Sequence, residues 1–230
     1  MGKLITISGI DGVGKETQTK LTAEYFRAKG YKVATISFPR YNITKSSKLI
    51  RHYLSGEFGD IFDVDPYFSG MLYALDRKES KESLELLLNT NDIVICDRYV
   101  LDGILYGLAK LPLYKIEAVN YSNWQHDLEY YNFKIPKPNL QLFLHIPVNL
   151  SQKLIENRNK LSNNLTIDIH EKNLIYQSKV LEVLKNSFGR QIKIKIINCF
   201  DLNNDDIYNK SYITNLITNT IEEYFGRCYH

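Results

Sequence analysis

The first residues able to do chemistry stand near the start of the chain, in the segment GIDGVGKETQ (9–18). Gly9, Gly14 and Lys15 fit the pattern G-x-x-x-x-G-K-[ST], whose backbone N–H groups cradle phosphate oxygens while the lysine reaches the outer phosphates. Gly12 and Gly14 let N–H groups turn toward an anion, and a helix opening near Lys15 adds its positive dipole end. The pattern breaks at its last position. Glu16 stands where a magnesium-ligating hydroxyl is expected, and the first hydroxyl comes one residue later, at Thr17. A carboxylate suits the first turn of a helix and is also a good Mg²⁺ ligand, so Glu16 does not disable the loop. It would repel phosphates only if the metal were absent.

A second acid, Asp97, ends the apolar run DIVICD (92–97). An acid at the end of a strand neighbouring the phosphate loop is placed to serve the metal of a phosphoryl transfer. Arg98 follows it directly. Two more arginines lie beside aromatic residues, Arg40 in FPRY (38–41) and Arg77 in YALDR (73–77). Three such cations suit a second anion site, because negative charge spreads over a transferring phosphoryl group.

Strands alternating with helices must position these groups. LITISG (4–9), KVATISF (32–38), DIVICD and LQLFLHI (140–146) read as strands, and IKIKII (192–197) as a half-buried edge strand. Helical spacing runs from Leu21 to a stop at Gly30, over 46–55, and from Pro66 through Leu72, Leu75 and on to Leu84–Leu88. It returns over 149–160, over 168–187 and from about Asp205 to Tyr224. This alternation predicts an α/β fold with a parallel sheet, and no linker or internal repeat divides the 230 residues.

With 44% hydrophobic and 24% charged residues, the chain has the composition of an ordinary globular protein, and a net charge of +3 suits a local anion site better than a nucleic-acid face. No apolar run approaches the ~18 residues of a membrane span. MGKLITISG enters a strand at once and predicts no signal segment, so a cytoplasmic enzyme is expected. Cys96, Cys199 and Cys228 are too widely spaced for a disulfide framework or a CxxC site. The five histidines form no cluster, and DIHEK lacks the second histidine of a zinc motif. The 17 tyrosines read mainly as core and half-exposed helix positions.

Taken together, GIDGVGKETQ, FPRY, YFSGMLYALDR (67–77), DRYVLDGILY (97–106), WQHDLEYYNFKIPKPNLQLFL (124–144) and DIHEKNLIYQ (168–177) resemble the thymidylate (dTMP) kinases, in that family's order and at about its spacing. The resemblance implies a P-loop nucleoside-monophosphate kinase fold, a three-layer sandwich of a five-stranded parallel sheet flanked by helices. It implies one domain over 1–230 that transfers the γ-phosphate of ATP to dTMP with Mg²⁺. Gly9, Asp11, Gly12, Val13, Gly14, Lys15, Glu16 and Thr17 would form the ATP loop, with Asp11 also facing the acceptor. Phe38, Arg40 and Tyr41 would belong to the dTMP-binding turn, Tyr73 would stack on thymine and Arg77 would meet a base carbonyl. Arg98 would position the acceptor phosphate, and Asp97 and Glu16 would serve the metal. Tyr106 would lie beneath the deoxyribose and Gln177 would close the pocket from a second layer. Residues 156–166 would form a lid over ATP whose catalytic cation is Arg158 in preference to Lys160. The resemblance also implies a homodimer packed through helices flanking the DRY and 66–88 regions, with no nucleic-acid or membrane partner. Some members of the family carry a charged residue after the loop lysine, so Glu16 fits a working loop with a rearranged metal shell.

One departure bears on the base. Where the family usually has Ser-Asn or Ser-Ser after DRYV, this chain has Asp102-Gly103. Asp102 could accept from thymine N3–H or cap a helix; Gly103 offers no side chain. This motivates a kinase for another deoxynucleoside monophosphate as an alternative, while Arg40 argues against a nucleoside acceptor. Glu16 motivates a third reading, an inactive nucleotide-binding protein, against which stand Lys15, Asp97 and Arg98 together.

Overall fold

A computed structural model of the chain describes residues 1–112, 115–162, 168–187, 194–201 and 206–228. Five strands, β1 (Lys3–Gly9), β2 (Val33–Ser37), β3 (Ile93–Asp97), β4 (Leu140–His145) and β5 (Ile194–Asn198), form one sheet in the order β2-β3-β1-β4-β5, every pair parallel. In β1 and β3, Leu4 to Gly9 and Ile93 to Cys96 are buried at every position. Such unbroken burial requires helices on both faces, which is why these strands read as continuous apolar runs. β5 is an edge strand, as expected, with Ile197 buried and Ile196 exposed. An antiparallel ribbon of β6 (Phe200–Asp201) and β7 (Asp206–Ile207) follows.

The helices are α1 (Lys15–Ala28), α2 (Ser46–Leu54), α3 (Pro66–Glu79), α4 (Lys81–Thr90), α5 (Val100–Leu108), α6 (Ile116–Asp127), α7 (Val148–Ser162), α8 (Ile169–Lys172), α9 (Leu174–Ser187) and α10 (Lys210–Cys228). A π-helical turn, Leu128–Asn132, continues α6. Three expected boundaries move. The helix expected from Pro66 to Leu88 is divided at Ser80, which ends α3 and begins α4. The one expected over 168–187 is divided at Asn173, whose side-chain oxygen accepts from the Tyr176 N–H at 3.0 Å and restarts the helix. The last begins at Lys210, not near Asp205, because β7 precedes it and Asn209 accepts from the Tyr212 N–H at 2.8 Å. Asp and Asn compete for local backbone donors in this way, which makes them cap formers rather than helix formers.

The register places Ile7 of β1 opposite Asp97 of β3. The turn after Gly9 and the Asp97–Arg98 step therefore meet at the carboxyl edge of the sheet, where doubly wound folds bind ligands.

Candidate active site

β1 delivers the chain into a turn that returns as α1. Gly12 and Gly14 take φ of 80° and 86°, where a Cβ is strained. A Cβ on Gly12 would also lie 2.8 Å from the Ser151 carbonyl of α7, and Ser151 donates its hydroxyl to the Asp11 carbonyl. The Lys15 ammonium lies back over the turn, donating to the Gly9 and Ile10 carbonyls at 3.0 and 2.8 Å. Burial and the Arg98 charge lower its pKa to about 8, against the pull of Asp11 and Asp97. Phosphate oxygens are stronger partners than these carbonyls and would raise it again. Glu16 stands on the cleft rim, exposed, its carboxylate 2.6 Å from Lys20 one turn along α1.

Burial raises the Asp97 carboxyl above the usual range. Lys15 and Arg98 oppose the rise, and the Asp102 and Glu16 charges add to it. Two carboxylates, Asp97 and Glu16, thus lie within electrostatic reach of each other beside the phosphate loop. That donor set fits Mg²⁺, which takes one or two carboxylates and completes its shell with substrate phosphates and water. Among the described residues no group of three or more His, Cys, Asp or Glu could hold a metal ion without a substrate.

Arg98 takes φ 62°, uncommon for a residue with a Cβ. Its guanidinium donates to Asp11 and, at 3.0 Å, to Asp102 Oδ1, with its Cζ 5.6 Å from the Tyr106 ring centroid. The other Asp102 oxygen accepts from the Ser8 hydroxyl at 2.6 Å and from the Tyr99 N–H at 3.1 Å. Of the two roles open to Asp102, the structure gives it the cap of α5. Burial pushes the Asp11 carboxyl up, but Arg98, Lys15 and a hydrogen bond from Gln177 bring it well below the ordinary range. Gln177 lies behind, donating to Asp11 Oδ2 at 2.7 Å and to the His170 carbonyl at 3.0 Å.

These groups open on a cleft of about 1140 Å³. Asp11, Gly12, Val13, Gly14, Lys15, Glu16 and Thr17 line one part of it. Phe38, Tyr41, Tyr73, Arg77, Asp97, Arg98, Asp102, Tyr106 and Arg158 line the rest. Gly9 and Gln177 lie behind the wall. Arg40 stands off it, and its N–H donates to Asp76 at 3.0 Å. Asp76 and Glu79 of α3 hold the whole FPRY turn and the start of α2. Asp76 also accepts from the Thr44 hydroxyl, and Glu79 accepts the N–H groups of Lys45 and Ser46 at 2.7 and 3.2 Å.

Arg158, on α7, donates to both carboxylate oxygens of Glu171, at 3.0 and 2.9 Å. Residues 163–166 of the expected lid lie outside the described residues; 156–162 complete α7.

Sequence reasoning missed His170. It lies flat on Tyr106 (centroids 5.4 Å apart, planes 14°) and its Nε2 is 2.9 Å from the Tyr53 hydroxyl. Burial lowers its pKa to about 3, against Asp11, so it is neutral. Weighing DIHEK only as a zinc motif hid it. The strip Asp206–Lys210 also reaches the cleft, tied to α1 by Gln18, which donates to the Lys210 carbonyl at 3.1 Å. No local motif marks that strip.

A thymidylate kinase family model matches residues 7–203. The thymidylate kinase of Mycobacterium tuberculosis (strain ATCC 25618 / H37Rv) is 34% identical over 148 residues, covering 64% of this chain and 68% of its own. The probable thymidylate kinase of Pyrococcus horikoshii is 34% identical over 166 residues, 70% of this chain and 73% of its own. A solved thymidylate kinase structure from Candida albicans superposes with a TM-score of 0.68 at 23% identity, over 96% of this chain and 92% of that one, and so shares the fold. The strand order, the phosphate loop and these matches lead to one conclusion: the chain belongs to the thymidylate kinase family.

Proposed function

We propose that Lys15, Arg98 and Arg158 perform the transfer in this cleft, between nucleotides seated on the phosphate loop and on the Tyr73–Tyr106 wall. As a thymidylate kinase, the chain transfers the γ-phosphate of ATP to dTMP, giving dTDP and ADP. The observation that supports the residue assignment is Arg98, poised over Tyr106 and shared between Asp11 and Asp102. A phosphate matches a guanidinium as a carboxylate does, so an incoming phosphate can take over either of these hydrogen bonds.

In this reading the loop N–H groups and Lys15 hold the β/γ phosphates of ATP. The dTMP base lies against Tyr73 with a carbonyl toward Arg77, the deoxyribose rests on Tyr106, and Phe38 and Tyr41 close the turn. Arg98 fixes the 5′-phosphate so that one of its oxygens faces the γ-phosphorus. That oxygen forms the new P–O bond as the bond to ADP breaks, and Lys15 and Arg158 stabilise the charge on the transferring group. Arg158 would exchange Glu171 for that charge. Asp97, with Glu16 on the rim, would hold Mg²⁺, which when bound supplies charge neutralisation of the phosphates.

A coupled ADP-release assay with Mg·ATP against dTMP, dUMP, dCMP, dAMP, dGMP and thymidine tests this. Preferred turnover of dTMP is expected. Preference for dCMP or dAMP would remove the base assignment, and ATP binding without turnover on any acceptor would turn the chain into a binding protein.

The same reading includes a homodimer packed through helices flanking the DRY (97–99) and 66–88 regions, where Phe68 and Leu86 are exposed. Sedimentation equilibrium decides it, and a monomer at every concentration removes it. It also includes a cytoplasmic location. Among the described residues no helix is long and apolar enough to cross a membrane.

A further inference from the structure

Arg77 is held in the acceptor wall by groups that no motif announces. Its Nε and Nη2 donate to the two oxygens of Glu129 at 2.5 and 2.6 Å, and the side chains are 3% and 0% exposed. Glu129 lies in the π-helical turn after α6 and is itself held. Gln125 Nε2 donates to Glu129 Oε1 at 2.5 Å. The Tyr121 hydroxyl shares its proton between Gln125 Oε1 at 3.1 Å and the Gly103 carbonyl at 3.2 Å. Tyr121, Gln125 and Glu129 stand four residues apart, so they form one polar row along the helix, turned to α5 and α3.

The space for this row is made by a missing side chain. A Cβ on Gly103 would lie 3.1 Å from Arg77 Nη2 and 3.5 Å from Gln125 Nε2. One turn further, a Cβ on Gly107 would lie 2.0 Å from the Tyr121 hydroxyl. The position that offers no side chain to the base is therefore where α6 brings its row up to the arginine.

We propose that Glu129, backed by Gln125, is the positioning residue for base recognition. This rests on the reading of Arg77 as the partner of a base carbonyl. A guanidinium has only donors, in a planar fork. The side-on pair engages Nε and one side of Nη2. It leaves Nη1, 3.5 Å from the Tyr99 carbonyl, as the edge not held by Glu129. Tyr99, beside Nη1, and Gly103, beside the far side of Nη2, both line the cleft. An unpaired guanidinium in so dry a wall is strongly unfavourable and would turn to find other acceptors. One carboxylate fixed by a helix settles its orientation. A fixed donor edge favours a base that presents a carbonyl there over one that presents an amino group. Glu129 therefore governs the choice and affinity of acceptor, with little hold on the chemical step.

The test is steady-state kinetics with dTMP and dCMP, at saturating ATP, for Glu129→Gln, Gln125→Leu and Arg77→Lys, with melting temperatures alongside. Glu129→Gln should raise KM for dTMP about tenfold and lower the dTMP:dCMP preference about tenfold, with kcat and the KM for ATP within about threefold. Gln125→Leu should shift both in the same direction by about threefold. In the Arg77→Lys background, Glu129→Gln should change the preference by no more than about twofold, because Glu129 acts through the arginine.

Unchanged KM and preference in Glu129→Gln, with both altered in Arg77→Lys, would overturn the proposal and leave the Arg77 assignment standing. If Arg77→Lys also changes nothing, the Arg77 assignment itself fails. A Glu129→Gln enzyme that loses stability and turnover equally on both acceptors would make the pair a structural brace only, and would equally overturn the proposal. If that variant does not fold, Gln125→Leu decides the matter, and an unaltered preference there overturns the proposal.

Discussion

Arg98 and Arg77 line the same cleft, yet one is shared between two acids at the open end of a strand and the other is locked to a single carboxylate in a dry wall. Arg98 is 23% exposed and takes a left-handed backbone, so its guanidinium reaches back over the phosphate loop. Neither acid holds it alone, and either hydrogen bond can be replaced by a phosphate oxygen. Arg77 is 3% exposed and meets both oxygens of one carboxylate, with the Tyr99 carbonyl 3.5 Å from its Nη1. The contrast follows the tasks. On the proposed assignment, the phosphate end releases and rebinds charge in every turnover, whereas the base end stays still so that a carbonyl is told from an amino group.

Lys15→Ala is the severest way to break the phosphate end. Turnover should fall about 10³-fold, while the melting temperature holds or rises slightly as a buried cation is removed. Unchanged phosphoryl transfer would strip Lys15 of its role at the γ-phosphate. Arg98→Ala should lower kcat/KM for dTMP about 10²-fold, and it should also cost about 1–3 kcal/mol of stability in a denaturant titration, because Asp11 and Asp102 lose their shared cation. A kinetic loss with no stability loss would mean that the two acids do not depend on Arg98 as the geometry indicates. Arg158→Ala should reduce turnover about 30-fold with the KM for dTMP within about threefold. An unaffected rate would move the transferring-group cation elsewhere.

A pH profile sharpens the same comparison, because the phosphate end contains a titrating cation and the base end does not rely on one. The Lys15 pKa is lowered from 10.5 to about 8, so the free enzyme loses that charge as pH rises through about 8. kcat/KM for ATP should therefore fall about tenfold per pH unit above that point. In the ligand-free protein the sign for stability is opposite. Between about 8 and 10.5 the unfolded chain binds the extra proton, so the Lys15 contribution to stability rises with pH across that window. A profile flat to pH 10 would show that Lys15 keeps its proton. The smallest effect is expected for Glu16→Gln, within about threefold in turnover, since its exposed carboxylate rests on Lys20. A fall of about 10²-fold with a higher Mg²⁺ requirement would make Glu16 a direct ligand.

The two ends were also unequally legible. The loop of 9–17 is contiguous, and glycine, lysine and the strand–turn–helix setting declare its chemistry within ten residues. Asp97 and Arg98 were legible for the same reason, as an apolar strand must end on the ligand edge of the sheet. Helix breaks at Ser80 and Asn173 were not. There the apolar spacing continues across the break; a capping contact marks it at Asn173, and at Ser80 no side-chain cap marks it at all. Asp102 was left between two roles by its sequence, and the Ser8 hydroxyl, 94 residues distant, decided for the cap. His170 reads as a stray histidine until Tyr53, 117 positions away, and Tyr106 close around it.

By itself the sequence determined the parallel α/β sheet, the phosphate loop, the Asp97–Arg98 step at the ligand edge and the family to which they point, because each rests on local spacing and strand order. Only the tertiary structure decided which carboxylate each arginine meets. Arg98 gains its two acids through β1 and α5, and Arg77 gains Glu129 through the turn after α6 and the gap at Gly103. The Arg77–Glu129 and Arg98–Asp11 pairs are contacts across 52 and 87 residues of chain, and the packing of helices on the sheet brings those partners within hydrogen-bonding distance; only Asp102, four residues from Arg98, is a local partner.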